Sequence, residues 1–223
     1  MTGSLPGGVG VSALRVYDWP AADGLCGGTP HLHLACAEAY FVTGGTGAVQ
    51  TLTWTGFEET PLSPGTLLHF GPGTIHRLVN GDGALRLVVI MANSGLPEAG
   101  DAVLTFPPAI LADPGAYRQA ARAGTPEQAR HRRDLALEGF RLLRGGGQAA
   151  LAEFHRAAAG LVAPLLDDFE SRWRGGALAA AELTGHHLDR LRRGDVSHLR
   201  EAEVVTTSAW EALGMCGNLD RYE

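Results

Sequence analysis

Short apolar runs separated by turn residues dominate the first 112 residues. Several runs alternate between apolar and polar positions, which is typical of strands with one buried face. Turn signals such as 71–73 (Gly-Pro-Gly) and 80–83 (Asn-Gly-Asp-Gly) separate them. Many short strands at regular spacing predict a sandwich or a small barrel. The predicted strands lie near 12–19, 31–34, 39–43, 48–54, 58–62, 66–70, 76–79 and 85–91.

The second half of the chain changes to a helical pattern. Thr125 begins a capping box, Thr-Pro-Glu-Gln, which predicts a helix start, and the glycines at 145–147 predict its end. A second helix is predicted over 148–174, with a break near Val162 because Pro164 follows, and a third over 179–193. Residues 206–223 give no clear pattern. The chain therefore divides into a β domain, 1–112, and a helical extension packed on it, 113–223.

The charges exclude several function classes. The chain has 223 residues, 45% of them hydrophobic, and a formal net charge of −6. All 18 basic residues are arginine, so Schiff-base catalysis by lysine and a P-loop lysine are both excluded. Residues 1–112 hold three arginines against eight acids, and neither half has the basic excess of a nucleic-acid binder. The arginines at 130–133 are predicted to lie on a solvated helix face.

Nothing in the sequence predicts secretion or membrane insertion. No apolar run approaches the ~20 residues needed to cross a bilayer, and the first residues show no signal-peptide pattern. Cys26, Cys36 and Cys216 are odd in number and widely spread, which argues against a disulfide framework. We therefore expect a cytoplasmic protein whose partner is a small molecule rather than a nucleic acid or a membrane.

The candidate chemistry lies in four side chains of the β domain. His31 and His33 are separated by one residue, so on a strand they project from the same face. Glu38 follows after a short bend, and His76 arrives on a later strand. Three imidazoles and one carboxylate make a four-ligand site for a divalent metal ion.

Two sequence blocks carry a family resemblance. The first block, with His31, His33, Glu38 and Gly45, resembles the first motif of the cupins. The second resembles the second cupin motif; it runs from Gly65 through the turn at 71–73 to His76 and Asn80. It departs from the usual pattern at Gly71, where the family has proline, although Pro72 follows at once. The resemblance covers roughly residues 10–100.

The resemblance implies a double-stranded β-helix, the cupin jelly-roll barrel, with one divalent metal ion per chain inside it. Iron, manganese, nickel and zinc all fit the ligand set. Inward-facing histidines would place Leu32 outward, under the helical extension or a second subunit, and inward-facing Glu38 would place Tyr40 inward. Tyr40 is thereby a candidate catalytic acid or base, and His69 is predicted to be structural. A homodimer is possible by family analogy.

Two function hypotheses follow. In the first, the protein is a metal-dependent enzyme acting on a small organic substrate, with oxygenase-type (dioxygenase, oxidoreductase) or Lewis-acid (isomerase or lyase) chemistry. In the second, it is a non-catalytic small-molecule-binding or accessory cupin. The complete ligand set favours the enzyme.

Overall fold

Two antiparallel sheets form the framework that positions the candidate site. The computed structural model describes residues 5–222. The first eight strands lie between the turns that the sequence predicts. Their bounds are β1 Gly10–Val16, β2 His31–His33, β3 Glu38–Gly44, β4 Gly47–Thr53, β5 Gly56–Leu62, β6 Leu67–Phe70, β7 Ile75–Asn80 and β8 Arg86–Met91. Three more are β9 Ala102–Leu104, β10 Trp210–Leu213 and β11 Gly217–Tyr222.

The chain passes repeatedly from one sheet to the other. One sheet has the order β10-β11-β1-β8-β3-β6 and the other the order β5-β4-β7-β2-β9. Strands β1, β3, β6 and β8 therefore lie opposite β2, β4, β5 and β7, the winding of a jelly roll. The predicted double-stranded β-helix with an α-helical C-terminal region is confirmed.

The helices begin where the capping signals indicate, but the first predicted one does not end at the glycines 145–147. Their bounds are α1 Pro108–Leu111, α2 Pro114–Ala120, α3 Pro126–Val162, α4 Leu166–Trp173 and α5 Ala179–Arg192. The Thr125 side chain accepts a hydrogen bond from the backbone N–H of Gln128, as predicted. The predicted end at 145–147 is wrong: Gly147 has φ 59° and ψ −151° and kinks α3, and the helix continues because Leu151 and Phe154 beyond it pack in the apolar core against the barrel. The predicted break near Val162 is confirmed, because a short 3-10 turn, Ala163–Leu165, separates α3 from α4.

Two apolar cores lie on opposite sides of the five-stranded sheet. Inside the barrel, the inner core includes Tyr40, Val42 and Leu78. Outside it, Leu32 is fully buried with Phe140 and other side chains of α3 in the outer core. The predicted outward orientation of Leu32 and its cover by the helical half are confirmed. Because β2 is buried on both faces, its backbone is held firmly where it carries the histidines.

The end of the chain departs from the predicted helical extension. Strands β10 and β11 form a hairpin, and β11 pairs with β1 along its length, from Val11–Tyr222 to Val16–Gly217. Tyr17 donates a hydrogen bond to the Gly214 carbonyl oxygen at 3.0 Å. Residues 210–222 therefore belong to the barrel sheet and are not helical. The division at residue 112 stays a prediction.

The longest helical stretch is apolar in composition. Residues Pro126–Arg192 contain an 18-residue window with mean hydropathy 1.2, and 22% of that window is buried. Length and composition alone would allow it to cross a membrane, a test that core helices also pass. Leu151 and Phe154 of this stretch pack in the outer core. The absence of a membrane partner stays a prediction.

Candidate metal centre

Strand pairing brings the three histidines together. His31 on β2 and His76 on β7 are directly opposed partners in the ladder. His33 lies two residues further along β2, so its ring projects from the same face as His31. Glu38 is the first residue of β3 in the opposite sheet and faces the histidines across the barrel. The structure thus brings all four predicted ligand residues together, and we call them the four-ligand cluster.

The cluster is compact and buried. One potential ligand atom from each residue lies within 4.8 Å of the others. Oε2 of Glu38 is 3.0 Å from Nε2 of His76 and 3.5 Å from Nε2 of His33. The four residues are at most 7% exposed.

The unsatisfied polar atoms of the cluster fit a cation. Nε2 of His76 and Oε2 of Glu38 are both buried, yet neither has a hydrogen-bond partner among the described residues. In the neutral ring, Nδ1 of His76 donates to the Thr74 carbonyl oxygen, so Nε2 carries a lone pair that faces the Glu38 oxygen. Buried polar groups are normally paired. A divalent ion between these atoms would satisfy both, so the donor set fits a metal ion.

Each histidine uses its other ring nitrogen to hold its orientation. Nδ1 of His31 contacts the Thr29 carbonyl oxygen at 2.8 Å, and Nδ1 of His76 contacts the Thr74 carbonyl oxygen at 3.0 Å. Nδ1 of His33 contacts Oδ2 of Asp101 at 3.1 Å. Such contacts hold each ring in place and leave its Nε2 atom for the centre of the cluster.

These observations decide the fold of the barrel. A jelly roll of two antiparallel sheets encloses three histidines and one glutamate, supplied by the two sequence blocks in the expected positions. The barrel is a double-stranded β-helix, the fold that the resemblance implies. The C-terminal helices and the β10–β11 hairpin are added to this barrel.

Comparisons with known proteins find similar structures but no sequence relatives. No protein-family model matches the chain, and no curated protein sequence matches it. KdgF from Halomonas sp. is 24% identical, with a TM-score of 0.27 over 30% of this chain and 58% of that one. The TDP-quinovose 3,4-ketoisomerase WlaRB from Campylobacter jejuni is 14% identical, with a TM-score of 0.32 over 37% of this chain and 60% of that one.

A third similar structure is a mutant of the oxalate decarboxylase OxdC from Bacillus subtilis. It is 16% identical, with a TM-score of 0.29 over 30% of this chain and 18% of that one. The chain thus spans less than two thirds of each of these three structures. At these TM-scores the neighbours say nothing about its substrate.

Asp101 is the site residue that the sequence analysis missed. It lies at the end of the turn Pro97–Asp101, immediately before β9, and its side chain is fully buried. No motif marks it, because 68 residues separate it from His33. The signal that could have found it is chemical, since a buried histidine ligand needs an acceptor for its second ring nitrogen.

Burial and neighbouring charges set the protonation of the cluster. Burial lowers the pKa of His31 well below its usual value, and the nearby His76 and His33 rings lower it further. Burial alone would raise the pKa of Glu38, but the electrostatic attraction of His76 and His33 outweighs it, so the pKa is lowered. A neutral imidazole and an ionised carboxylate are the forms that bind metal ions.

Tyr40 faces the barrel interior beside the cluster. The alternation of β3 buries Glu38, Tyr40 and Val42 on one face, as predicted. The Tyr40 ring packs edge-on to Phe70, with ring centroids 5.4 Å apart. Burial, and then the charge of Glu38, raise the pKa of the Tyr40 phenol well above its usual value. The catalytic role of Tyr40 stays a prediction.

The structure also tests the expectations for His69 and for the arginines at 130–133. His69 is exposed on β6, paired with Ala39, and lies outside the cluster. Arg132 and Arg133, predicted to be solvated, are instead buried. The guanidinium of Arg133 donates to the carbonyl oxygens of Trp19 and Pro20. This pairing explains how an arginine on α3 is tolerated against the barrel.

Proposed function

We propose that this protein belongs to the cupins and is a metal-dependent enzyme that acts on a small organic substrate. The observation that carries the proposal is the four-ligand cluster, in which buried ligand atoms converge within 4.8 Å. Nε2 of His76 and Oε2 of Glu38 have no hydrogen-bond partner among the described residues, which supports a shared cation.

The ligand set limits the metal ion to a group rather than to one element. Three imidazole nitrogens and one carboxylate oxygen suit iron, manganese, nickel and zinc. A bound ion would supply Lewis-acid chemistry, and iron or manganese would supply redox chemistry as well.

The interior of the barrel favours reactions that develop negative charge on a substrate. The inner core, which includes Val42, Leu78 and Leu87, lies inside the same barrel as the cluster, and the ring of Phe70 packs against the ring of His76 with centroids 4.4 Å apart. Electrostatic interactions are stronger in such a low-dielectric environment than in water. Glu38 is the one carboxylate of the cluster, and its lowered pKa keeps it ionised, whereas the lowered pKa of His31 keeps that imidazole neutral.

Tyr40 is a hydrogen-bond donor that this interior offers. With its pKa raised, the phenol is a weaker acid than a free tyrosine and stays protonated at neutral pH, so it can donate a hydrogen bond to negative charge on a substrate. We expect Tyr40→Phe to keep its metal content and to lower kcat by roughly 100-fold, the low end of what one positioned donor contributes. Metal analysis and steady-state kinetics on the same preparation measure both.

Tyr17→Phe is the matched control for this variant. Tyr17 is another buried phenol whose pKa burial raises to about 12, but its hydroxyl group donates to the Gly214 carbonyl oxygen. We expect this variant to lose about 1 kcal/mol of stability and to keep its kcat. Equal losses of kcat in both variants would show that the Tyr40 hydroxyl group has no specific role in catalysis.

A substrate panel separates the two reaction classes. The panel consists of diketones, thiols and phenolic acids, incubated with protein loaded in turn with iron, manganese, nickel or zinc. Oxygen consumption indicates an oxygenase. Conversion without oxygen uptake, followed by NMR, indicates an isomerase or lyase. Metal binding with tight ligand binding but no conversion would support the non-catalytic alternative instead.

A further inference from the structure

The three histidines of the cluster do not have equivalent partners. His31 and His76 contact backbone carbonyl oxygens through Nδ1, whereas Nδ1 of His33 contacts the carboxylate of Asp101. Asp101 is 0% exposed. A fully buried carboxylate in contact with a candidate ligand is costly unless all its oxygen atoms are satisfied.

The backbone satisfies the second oxygen of Asp101 and thereby fixes its orientation. Oδ1 accepts hydrogen bonds from the backbone N–H groups of Leu34 and Ala35, at 3.1 and 2.6 Å. These residues form the bend between His33 and Glu38. The same carboxylate therefore holds one ligand ring and the backbone that leads to the next ligand.

This arrangement determines which ring nitrogen of His33 carries the proton. An ionised carboxylate can only accept hydrogen bonds, so the ring must donate from Nδ1. Because a neutral imidazole carries one ring proton, Nε2 is left with a free lone pair. Nε2 of His33 is the atom that lies 3.5 Å from Glu38 Oε2 in the cluster.

We propose that Asp101 is a positioning residue that locks His33 in the Nδ1–H tautomer and so prepares Nε2 to bind a metal ion. The expected effect on metal binding rests on the proposed function. The assignment of the His33 tautomer rests on the contacts of Asp101 alone. Outer carboxylate partners of this kind contribute about 10–100-fold to metal affinity.

Asp101→Asn separates this role from simple structural support. An asparagine has one acceptor oxygen, which can still serve the backbone N–H groups of Leu34 and Ala35. Its amide NH2 group then faces Nδ1 of His33, and two donors cannot pair. The ring proton is expected to move to Nε2, where it blocks metal binding.

The experiment measures the tautomer and the metal affinity independently. In the metal-free protein, 15N-histidine NMR is expected to show Nδ1–H for His33 in the wild type and Nε2–H in Asp101→Asn. Competition with a chelator is expected to show zinc binding about 10–100-fold weaker in the variant. Asp82→Asn is the matched control, because Asp82 also accepts from two backbone N–H groups, those of Thr46 and Ala84, but in an exposed turn. It should change neither readout.

Each outcome of this experiment is decisive. If the wild-type ring carries its proton on Nε2, the tautomer lock does not exist, whether or not the variant folds. If the variant keeps Nδ1–H and the wild-type zinc affinity, Asp101 has only a structural role, while the proposed function stands. If the wild type binds neither zinc nor, in the same competition assay, iron, manganese or nickel, the proposed function fails, and the NMR result still decides the tautomer assignment.

Discussion

Replacing His76 with alanine is expected to abolish metal binding while the barrel stays folded. His76 is fully buried between the sheets, and its Nε2 atom is the closest ligand atom to the Glu38 carboxylate, at 3.0 Å. The loss in affinity should exceed the ~10–100-fold that removal of an outer partner costs, because a direct ligand is lost. Mass spectrometry of the purified protein should show about one metal ion per chain in the wild type and far less in the variant.

His69→Ala provides the control for this experiment. His69 lies in the strand just before the His76 turn, but its side chain is exposed on the outer face of β6. The substitution removes one imidazole from the same region without changing the cluster, so the metal content should be unchanged. Equal metal loss in both variants would indicate adventitious binding to surface histidines. Full retention of metal in His76→Ala would contradict the metal-site assignment.

The sequence predicted the candidate ligands because their chemistry and spacing are local. The separation of His31 and His33 by one residue, combined with strand alternation, fixes their common direction. The alternation along β3 likewise places Tyr40 inside the barrel. The sequence did not predict the role of Asp101, because that role depends on the pairing of β9 with β2 in the sheet.

The fold was predictable where turn residues punctuate strong strand patterns. The hairpin Trp210–Tyr222 lacked such a pattern, because β11 has one inward apolar residue, Leu219, between charged and polar neighbours. Pairing with β1 determines its conformation. The burial of Arg132 and Arg133 could not be predicted from the sequence either, because it depends on backbone carbonyl oxygens supplied by Trp19, Pro20 and Gly214.

The helical half supports the site through β9. This short strand pairs with β2, opposing Leu104 to His31 and Ala102 to His33, and it directly follows Asp101. Thr105, the residue that follows β9, donates a hydrogen bond from its hydroxyl group to the Ala136 carbonyl oxygen on α3 at 2.8 Å. The position of α3 is therefore linked to β9, and through β9 to both histidines of β2 and to Asp101.

A second large effect is expected at Gly139, where α3 approaches the chain that follows β9. A Cβ atom at this position would lie 1.9 Å from the Thr105 carbonyl oxygen, so the helix or the strand would have to shift. We expect Gly139→Ala to lower the free energy of unfolding by about 3 kcal/mol, well beyond the ~1 kcal/mol that alanine gains in helix propensity. For a chain of this size, that loss corresponds to a fall in Tm of roughly 6–12 °C.

Gly160→Ala makes the same chemical change further along α3, where nothing lies within 4 Å of the added methyl group. It is expected to raise stability by about 0.5–1 kcal/mol, because only helix propensity changes. Thermal unfolding of the two variants, with metal affinity measured in parallel, tests the link from α3 to the cluster. If Gly139→Ala leaves both quantities at wild-type values, α3 is not packed on β9 as closely as described. If stability falls but the affinity of the folded protein is unchanged, the helices support the barrel without positioning its ligands.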